Sequence, residues 1–364
     1  MRIVGIRYGS KAGYLAAIAV VLILAAPPMR ASDEHDAFES FLPPLGLPSI
    51  ASPPDNPLAS DKIALGAKLF SDPRLSRDAT MSCASCHDPA HAFTRQNVPI
   101  HDTVLASERL RRNVPSLLNV AYAAPLHHDG REPTLEVQIL SPLFNPAEMA
   151  NTSFDDLTER LATIPEYRDA FLKIFAAPPT IETLGQALAS FERSLMAGDS
   201  PFDRWRYAGD GAALSAAARA GLALFTGKAG CVACHTIEEK TALFTNNRFV
   251  NTGIGFQSEQ RRAHETPHAL TDRGREEITH VREDRYKFRT PTLRNVALTA
   301  PYMHDGSINT LDEIVANYNA GGSADPGKDP RIKPLGLTDD EQQALVAFLI
   351  SLRSKTLPGT DARQ

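Results

Sequence analysis

Cys83-Ala84-Ser85-Cys86-His87 decides how the chain is read, because it is one of two copies of a spacing with a narrow chemical meaning. The second copy is Cys231-Val232-Ala233-Cys234-His235, and the two together use all four cysteines. In Cys-x-x-Cys-His, two thiols add to the vinyl groups of a haem and the adjacent imidazole ligates its iron, so one short turn supplies both attachment and proximal ligation. A redox dithiol or half a zinc site shares the Cys-x-x-Cys spacing, but two copies with no spare cysteine leave little room for either. The chain is therefore expected to carry two covalently bound haem c groups. Cys83, Cys86 and His87 would hold the first, and Cys231, Cys234 and His235 the second, with His87 and His235 on the iron atoms.

Residues 1–31 have a basic start (Arg2, Arg7, Lys11) and an apolar run from Gly13 to Ala26, with Ala31 at a plausible cleavage position. This pattern is that of a secretory signal, although Met29 departs from the small-residue rule and an uncleaved anchor stays open. The apolar run is short for a membrane span, so no stable span is expected after removal of the signal. Haem attachment through thiols needs an export route, which agrees with a bacterial periplasmic destination. The formal charge of −5, with Lys and Arg interspersed among Asp and Glu, provides no basic stripe and argues against nucleic-acid binding.

Residues 32–60, rich in Pro, Ser and Asp, are expected to form an extended arm. Beyond it, Gly66-Ala-Lys-Leu69-Phe70 recurs as Gly221-Leu-Ala-Leu224-Phe225, so each haem motif follows a helix of one kind. Thr180 to Leu195 and the segment after Thr338-Asp-Asp-Glu341 read as amphipathic helices, the latter with a capping box. A helix before and a helix after each motif resembles the class I cytochrome c fold twice over, which implies a mainly α protein with two such domains, 61–200 and 201–364. Met196 to Asp210, with its Gly, Ser, Pro and Asp, is the expected linker.

A longer repeat joins the halves. Pro115-Ser-Leu-Leu-Asn119-Val-Ala-Tyr-Ala-Ala-Pro125-Leu-His-His128-Asp-Gly130 matches Pro291-Thr-Leu-Arg-Asn295-Val-Ala-Leu-Thr-Ala-Pro301-Tyr-Met-His304-Asp-Gly306 without a gap. Carried onward at the same offset, Tyr318 falls opposite Pro142. The two haem motifs, these Asn-Val-Ala and His-Asp-Gly blocks, and Asn145-Pro-Ala-Glu148-Met resemble the bacterial di-haem cytochrome c peroxidase and MauG superfamily, over essentially the whole mature chain.

The resemblance implies that the N-terminal haem reacts with hydrogen peroxide, that the C-terminal haem stores or relays an electron, and that a calcium ion lies between the domains. Asn113, Thr299 and Pro301 stand at the family's calcium positions, a side-chain amide and two backbone carbonyls that suit a hard cation. Glu148 and Gln138 stand at its acid/base and orienting positions. The sixth ligand of the C-terminal haem is methionine in the peroxidases and tyrosine in MauG. Tyr318 occupies that register, which resembles the MauG branch. A thioether favours reduced iron, whereas an oxygen ligand favours ferric and higher states. Pro142, at the equivalent N-terminal place, has no donor atom. The peroxidases often close that face with a loop histidine; Leu105 is in its register and His101 lies four residues earlier, so closure by His101 stays open.

Two departures from the family matter. His128 stands where the family usually has an inter-haem tryptophan, and Lys228-Ala229-Gly230 replaces the region of a MauG surface tryptophan. Imidazole is harder to oxidise than indole, so rapid charge sharing through His128 is in question, and the methylamine dehydrogenase precursor is not the expected target. Trp205, Tyr207 and Tyr286 are alternative relays, each with packing as its other reading. Three functions follow: a MauG-like oxidase of a partner protein, a peroxide scavenger fed by a small cytochrome c or cupredoxin, and a non-catalytic di-haem electron carrier.

Overall fold

Each haem motif follows a helix whose glycine decides how closely that helix can pack. The computed structural model describes residues 41–50, 52–95, 110–265 and 272–359. In chain order its helices are α1 (Ser60–Phe70), α2 (Cys83–Cys86), α3 (Leu135–Gln138), α4 (Leu140–Phe144), α5 (Phe154–Thr163), α6 (Pro165–Phe175), α7 (Ile181–Ser194), α8 (Pro201–Tyr207), α9 (Ala216–Thr226), α10 (Ile254–Glu265), α11 (Glu276–Thr279), α12 (Leu311–Asn319) and α13 (Asp339–Ile350). Two-residue strands β1 (Phe249–Val250) and β2 (Phe288–Arg289) pair antiparallel. The protein is mainly helical, as expected.

Helix α1 packs on α7, and α9 packs on α13. A Cβ on Gly66 would overlap the carbonyl of Ala187 on α7, and one on Gly221 would overlap that of Ala344 on α13. The repeated glycine is thus a contact surface, and neither neighbour is a flexible side chain that could yield. Thr180 and Thr338 cap α7 and α13 in capping boxes with Thr183 and Glu341. The buried apolar residues sort into two clusters, one from Leu65 to Ala197 and one from Phe202 to Leu352.

The sequence repeat is also a repeat of backbone states. Asn119 and Asn295 both take left-handed φ, 62° and 59°, as do His127 and Met303 at 65° and 70°. Asparagine tolerates this region better than most residues. Each asparagine also clasps the chain beyond the last helix of its half: Asn119 exchanges hydrogen bonds with Ala197, and Asn295 Oδ1 accepts from Ser354 N–H. The correspondence continues past the matched block. Thr134 caps α3 as Thr310 caps α12, Leu135 and Leu311 are both buried, and so are Ile139 and Val315.

One expectation needs correction. Met196 to Asp210 is not a free linker: Ser200 caps α8, Phe202 is buried, and Asp203 is fully buried. Arg294, also fully buried, donates from Nη1 and Nη2 to the two Asp203 carboxylate oxygens at 2.8 Å, and from Nη2 to the carbonyl of Gly46 and Nε to that of Ala242. The described part of the N-terminal arm is held as well. Leu47 and Asn56 are buried, and Asn56 Nδ2 donates to Glu136 Oε1 at 2.8 Å. Turn-like composition misled over Met196 to Asp210 because the partners are distant in sequence.

Removing one member of such a pair strands a buried charge, which typically costs about 3–5 kcal/mol. Asp203→Asn is expected to lose that much stability in denaturant titration, and Asp203→Asn with Arg294→Met to recover a substantial part. A single variant within about 1 kcal/mol of the parent would show that the pair does not hold the fold.

Candidate haem sites

In the N-terminal half, Ser82 and Ser85 form a capping box around α2, which presents Cys83 and Cys86 and ends at His87. His87 N–H donates to the Cys83 carbonyl at 2.8 Å, closing the turn. In the C-terminal half, Gly230, at φ 65°, opens a 3₁₀ turn over Cys231–Ala233, and His235 N–H donates to the Cys231 carbonyl at 3.0 Å. Two different local helices therefore bring thiols and imidazole into one arrangement.

The orientation of each imidazole comes from a carbonyl. His87 Nδ1 lies 3.1 Å from the carbonyl of Phe93, and His235 Nδ1 lies 2.9 Å from that of Phe244. A carbonyl only accepts, so Nδ1 carries the proton and Nε2 is left with a lone pair. This is the arrangement that metal-bound histidines use. Burial holds both imidazoles below their ordinary pKa, so both are neutral at pH 7. The thiols shift the other way. Burial, with the Glu192 charge adding to it, pushes Cys83 well above an ordinary thiol, and burial pushes Cys231 up to about 11.

His235, Cys231 and Cys234 line a cavity of about 390 Å³, and so do Tyr318, Ile314, His128, Arg289 and the three expected calcium residues. The Tyr318 hydroxyl makes no hydrogen bond to a described residue. Burial pushes its pKa up to about 12, so the phenol is neutral unless a metal draws off the proton. His128 Nε2 donates to the carbonyl of Asn113 at 3.0 Å, and burial lowers His128 to about 4, fixing it as neutral imidazole. Asn113 Nδ2 lies 2.6 Å from the carbonyl of Pro301, while the Thr299 hydroxyl turns back to the Val296 carbonyl. Asn113 and Pro301 are thus brought together, and the Thr299 hydroxyl, which carbonyl ligation would not use, points back into its own turn. Among the described residues no cluster of three His, Cys, Asp or Glu could hold a metal ion.

On the N-terminal side, Glu148 Oε1 accepts from Asn145 Nδ2 at 2.7 Å, and burial raises its pKa against the opposing pull of Asn145 and Arg131. Gln138 Oε1 is buried without a partner. Its counterpart at the repeat offset is Ile314, a lining residue of the C-terminal cavity. Sequence reading missed Asn145, the carbonyls of Phe93 and Phe244, and Arg289. The first was visible in the quoted Asn-Pro-Ala-Glu block; the others have no local signal. His101 and Leu105 lie outside the described residues, as do residues 1–31. Trp205 and Tyr207 both pack against Phe202, Tyr286 is buried edge-on to Phe256, and Lys228 pairs with Glu341.

Two neutral, carbonyl-anchored imidazoles, each on a turn with a thiol pair, in a mainly helical chain define a c-type di-haem protein. Comparison with known proteins narrows the class. Residues 60–212 match the family model for di-haem cytochrome c peroxidase, and residues 218–353 match that for cytochrome c. The chain is 40% identical over 363 residues to the cytochrome-c peroxidase IdrP1 of Denitromonas iodatirespirans, covering 93% of this chain and 94% of that one. It is 37% identical over 316 residues to the methylamine utilization protein MauG of Methylorubrum extorquens, covering 85% and 84%. A solved MauG-like protein associated with microbial copper homeostasis superposes with a TM-score of 0.73 at 31% identity, covering 86% of this chain and 95% of that one. The chain belongs to the di-haem cytochrome c peroxidase and MauG family, and is a haem-dependent peroxidase-type oxidoreductase.

Haem content tests the two turns separately. Cys231→Ala with Cys234→Ala is expected to retain one covalent haem and lose the other, read by intact mass and by haem absorption per chain. Unchanged haem content would remove that turn from the attachment site.

Proposed function

We propose that this protein activates hydrogen peroxide at the N-terminal haem and oxidises a partner protein by long-range electron transfer through a C-terminal haem ligated by His235 and Tyr318. The observation that carries this reading is the Tyr318 hydroxyl, which lines the His235 cavity without a hydrogen-bond partner among the described residues. When bound, the haems supply the redox chemistry, taking and passing on single electrons. Glu148 moves the proton. Asn145 holds its Oε1, leaving Oε2 to carry a proton from one peroxide oxygen to the other, so that the O–O bond could break with loss of water once bound haem supplied the two electrons this requires. The orphan Gln138 Oε1 accepts a hydrogen bond from peroxide and orients it. Pro142 offers that face no donor atom of its own.

Domains over 61–200 and 201–364, a calcium ion at Asn113, Thr299 and Pro301, export by residues 1–31 and a periplasmic location complete the reading. No helix among the described residues is long and apolar enough to cross a membrane. A second reading, peroxide scavenging with a small cytochrome c or cupredoxin as donor, is favoured by the 40% identity to a relative named as a cytochrome-c peroxidase.

Tyr318→Met separates the two. Exchanging an oxygen ligand for a thioether is expected to raise the potential of the C-terminal haem and speed turnover with reduced cytochrome c. An unchanged potential in spectroelectrochemical titration would remove Tyr318 from the iron.

Glu148 gives an independent test. It accepts the proton only when ionised, so its contribution is present above its pKa and lost as pH falls through it. Because burial raises that pKa, the acid limb of peroxide activation should lie above that of an ordinary glutamate, near 4.3. Glu148→Gln is expected to slow the step by about 10²–10⁴-fold and abolish the acid limb, with haem spectra unchanged. A rate within a factor of about two of the parent in rapid mixing would rule the role out.

A further inference from the structure

Arg289 ends β2 and lines the C-terminal cavity. Its backbone N–H donates to the carbonyl of His128 at 2.7 Å, its Nε to the carbonyl of His127 at 3.3 Å, and its Nη1 to Asn247 Oδ1 at 3.1 Å. All three acceptors are neutral. Two other arginines line the same cavity, and each has a carboxylate: Arg294 is paired with Asp203, and Arg331 with Asp329. Arg289 has no carboxylate partner among the described residues. Burial is the sole influence on its pKa, lowering it to about 10. A guanidinium withdrawn from water is costly unless an anion meets it, and its planar fork matches a carboxylate best. The haem that this cavity is read to hold carries two propionate carboxylates.

We propose that Arg289 binds a propionate of the C-terminal haem and, through its bonds to His127 and His128, ties that edge of the haem to the His-His-Asp-Gly segment of the N-terminal half. This rests on the reading of the cavity as the C-terminal haem site. Arg289 acts as a positioning residue: its charge keeps the propionate ionised, and its fork fixes the haem edge against His128.

The test uses the protein with both haems attached, titrated spectroelectrochemically from about pH 5 to pH 8. In Arg289→Gln the C-terminal potential is expected to fall, because a cation that disfavours ferric iron is gone, and to gain a pH slope steeper than that of the parent. Without the guanidinium the propionate takes up a proton within this range, which links protonation to redox state. The N-terminal haem should not shift. Arg289→Lys keeps the charge and should fall between parent and Gln variant; should the Gln variant fail to fold, the Lys variant carries the test with a smaller slope. With both haems attached, an unchanged potential and slope would overturn the role of Arg289 while leaving the haem reading intact. A Lys variant identical to the Gln variant would overturn it too, since charge would then be irrelevant. A parent chain lacking the C-terminal haem would overturn the cavity reading and the proposal together.

Discussion

An imidazole offers one nitrogen to a metal only when its proton is held on the other, and here a phenylalanine carbonyl holds that proton in both halves. Phe93 and Phe244 both have left-handed backbones, φ 55° and 50°, which bulky residues avoid. Such strain costs on the order of 1–3 kcal/mol per residue and survives only where packing over-determines it. Both rings are fully buried. Phe93 sits edge-on to Phe70, and Phe244 sits among Phe202, Phe225 and Phe348. Burying such a ring contributes about 1.5–3 kcal/mol, enough to offset the strain. The aromatic core therefore sets the tautomer of each proximal histidine, and Phe70 and Phe225 belong to the repeated helix that precedes each haem turn.

That dependence explains why α1 and α9 must press so closely on α7 and α13. A methyl group on Gly66 or Gly221 would push the helix from its neighbour and loosen the cluster that pins the phenylalanine. The intrinsic helix gain from such a change, about 1 kcal/mol, is opposed by overpacking that typically costs about 1–3 kcal/mol. In the C-terminal half Arg294 adds a second constraint, joining Gly46, Asp203 and Ala242 around a position two residues from the pocket-lining Thr292.

The haem motifs, the flanking helices, their caps and the internal repeat were all legible in the sequence, because each is written within a few residues or as a periodicity. The segment Met196 to Asp210 was misread because Ser, Pro, Gly and Asp describe a local preference for turns. Its burial comes from Arg294, far along the chain. The proximal carbonyls were invisible for a different reason: a backbone acceptor has no residue identity. Arg289 resembles any strand arginine until the other two arginines of the cavity are seen to be paired. The calcium positions come from register alone, which brings the Asn113 amide against the Pro301 carbonyl.

The two halves share a scaffold yet present different groups to their haem turns, and one residue accounts for much of the difference. In the C-terminal half a continuous helix, Leu311–Asn319, carries Ile314 and Tyr318 on one side, both lining the cavity. At the same offset the N-terminal half has Pro142, which has no N–H to give to the carbonyl of Gln138, and the helix is divided into Leu135–Gln138 and Leu140–Phe144. The proline thus offers no hydroxyl where the other half has Tyr318, and breaks the helix in the same turn. Gln138, at the end of the first piece, has its side-chain oxygen buried and unbonded where the other half has the apolar Ile314. On the proposed reading, a polar orphan suits a small polar substrate and the Tyr318 phenol suits an iron ligand. Exchange of tyrosine and proline in one helix therefore changes both the side chain offered and the backbone that carries it.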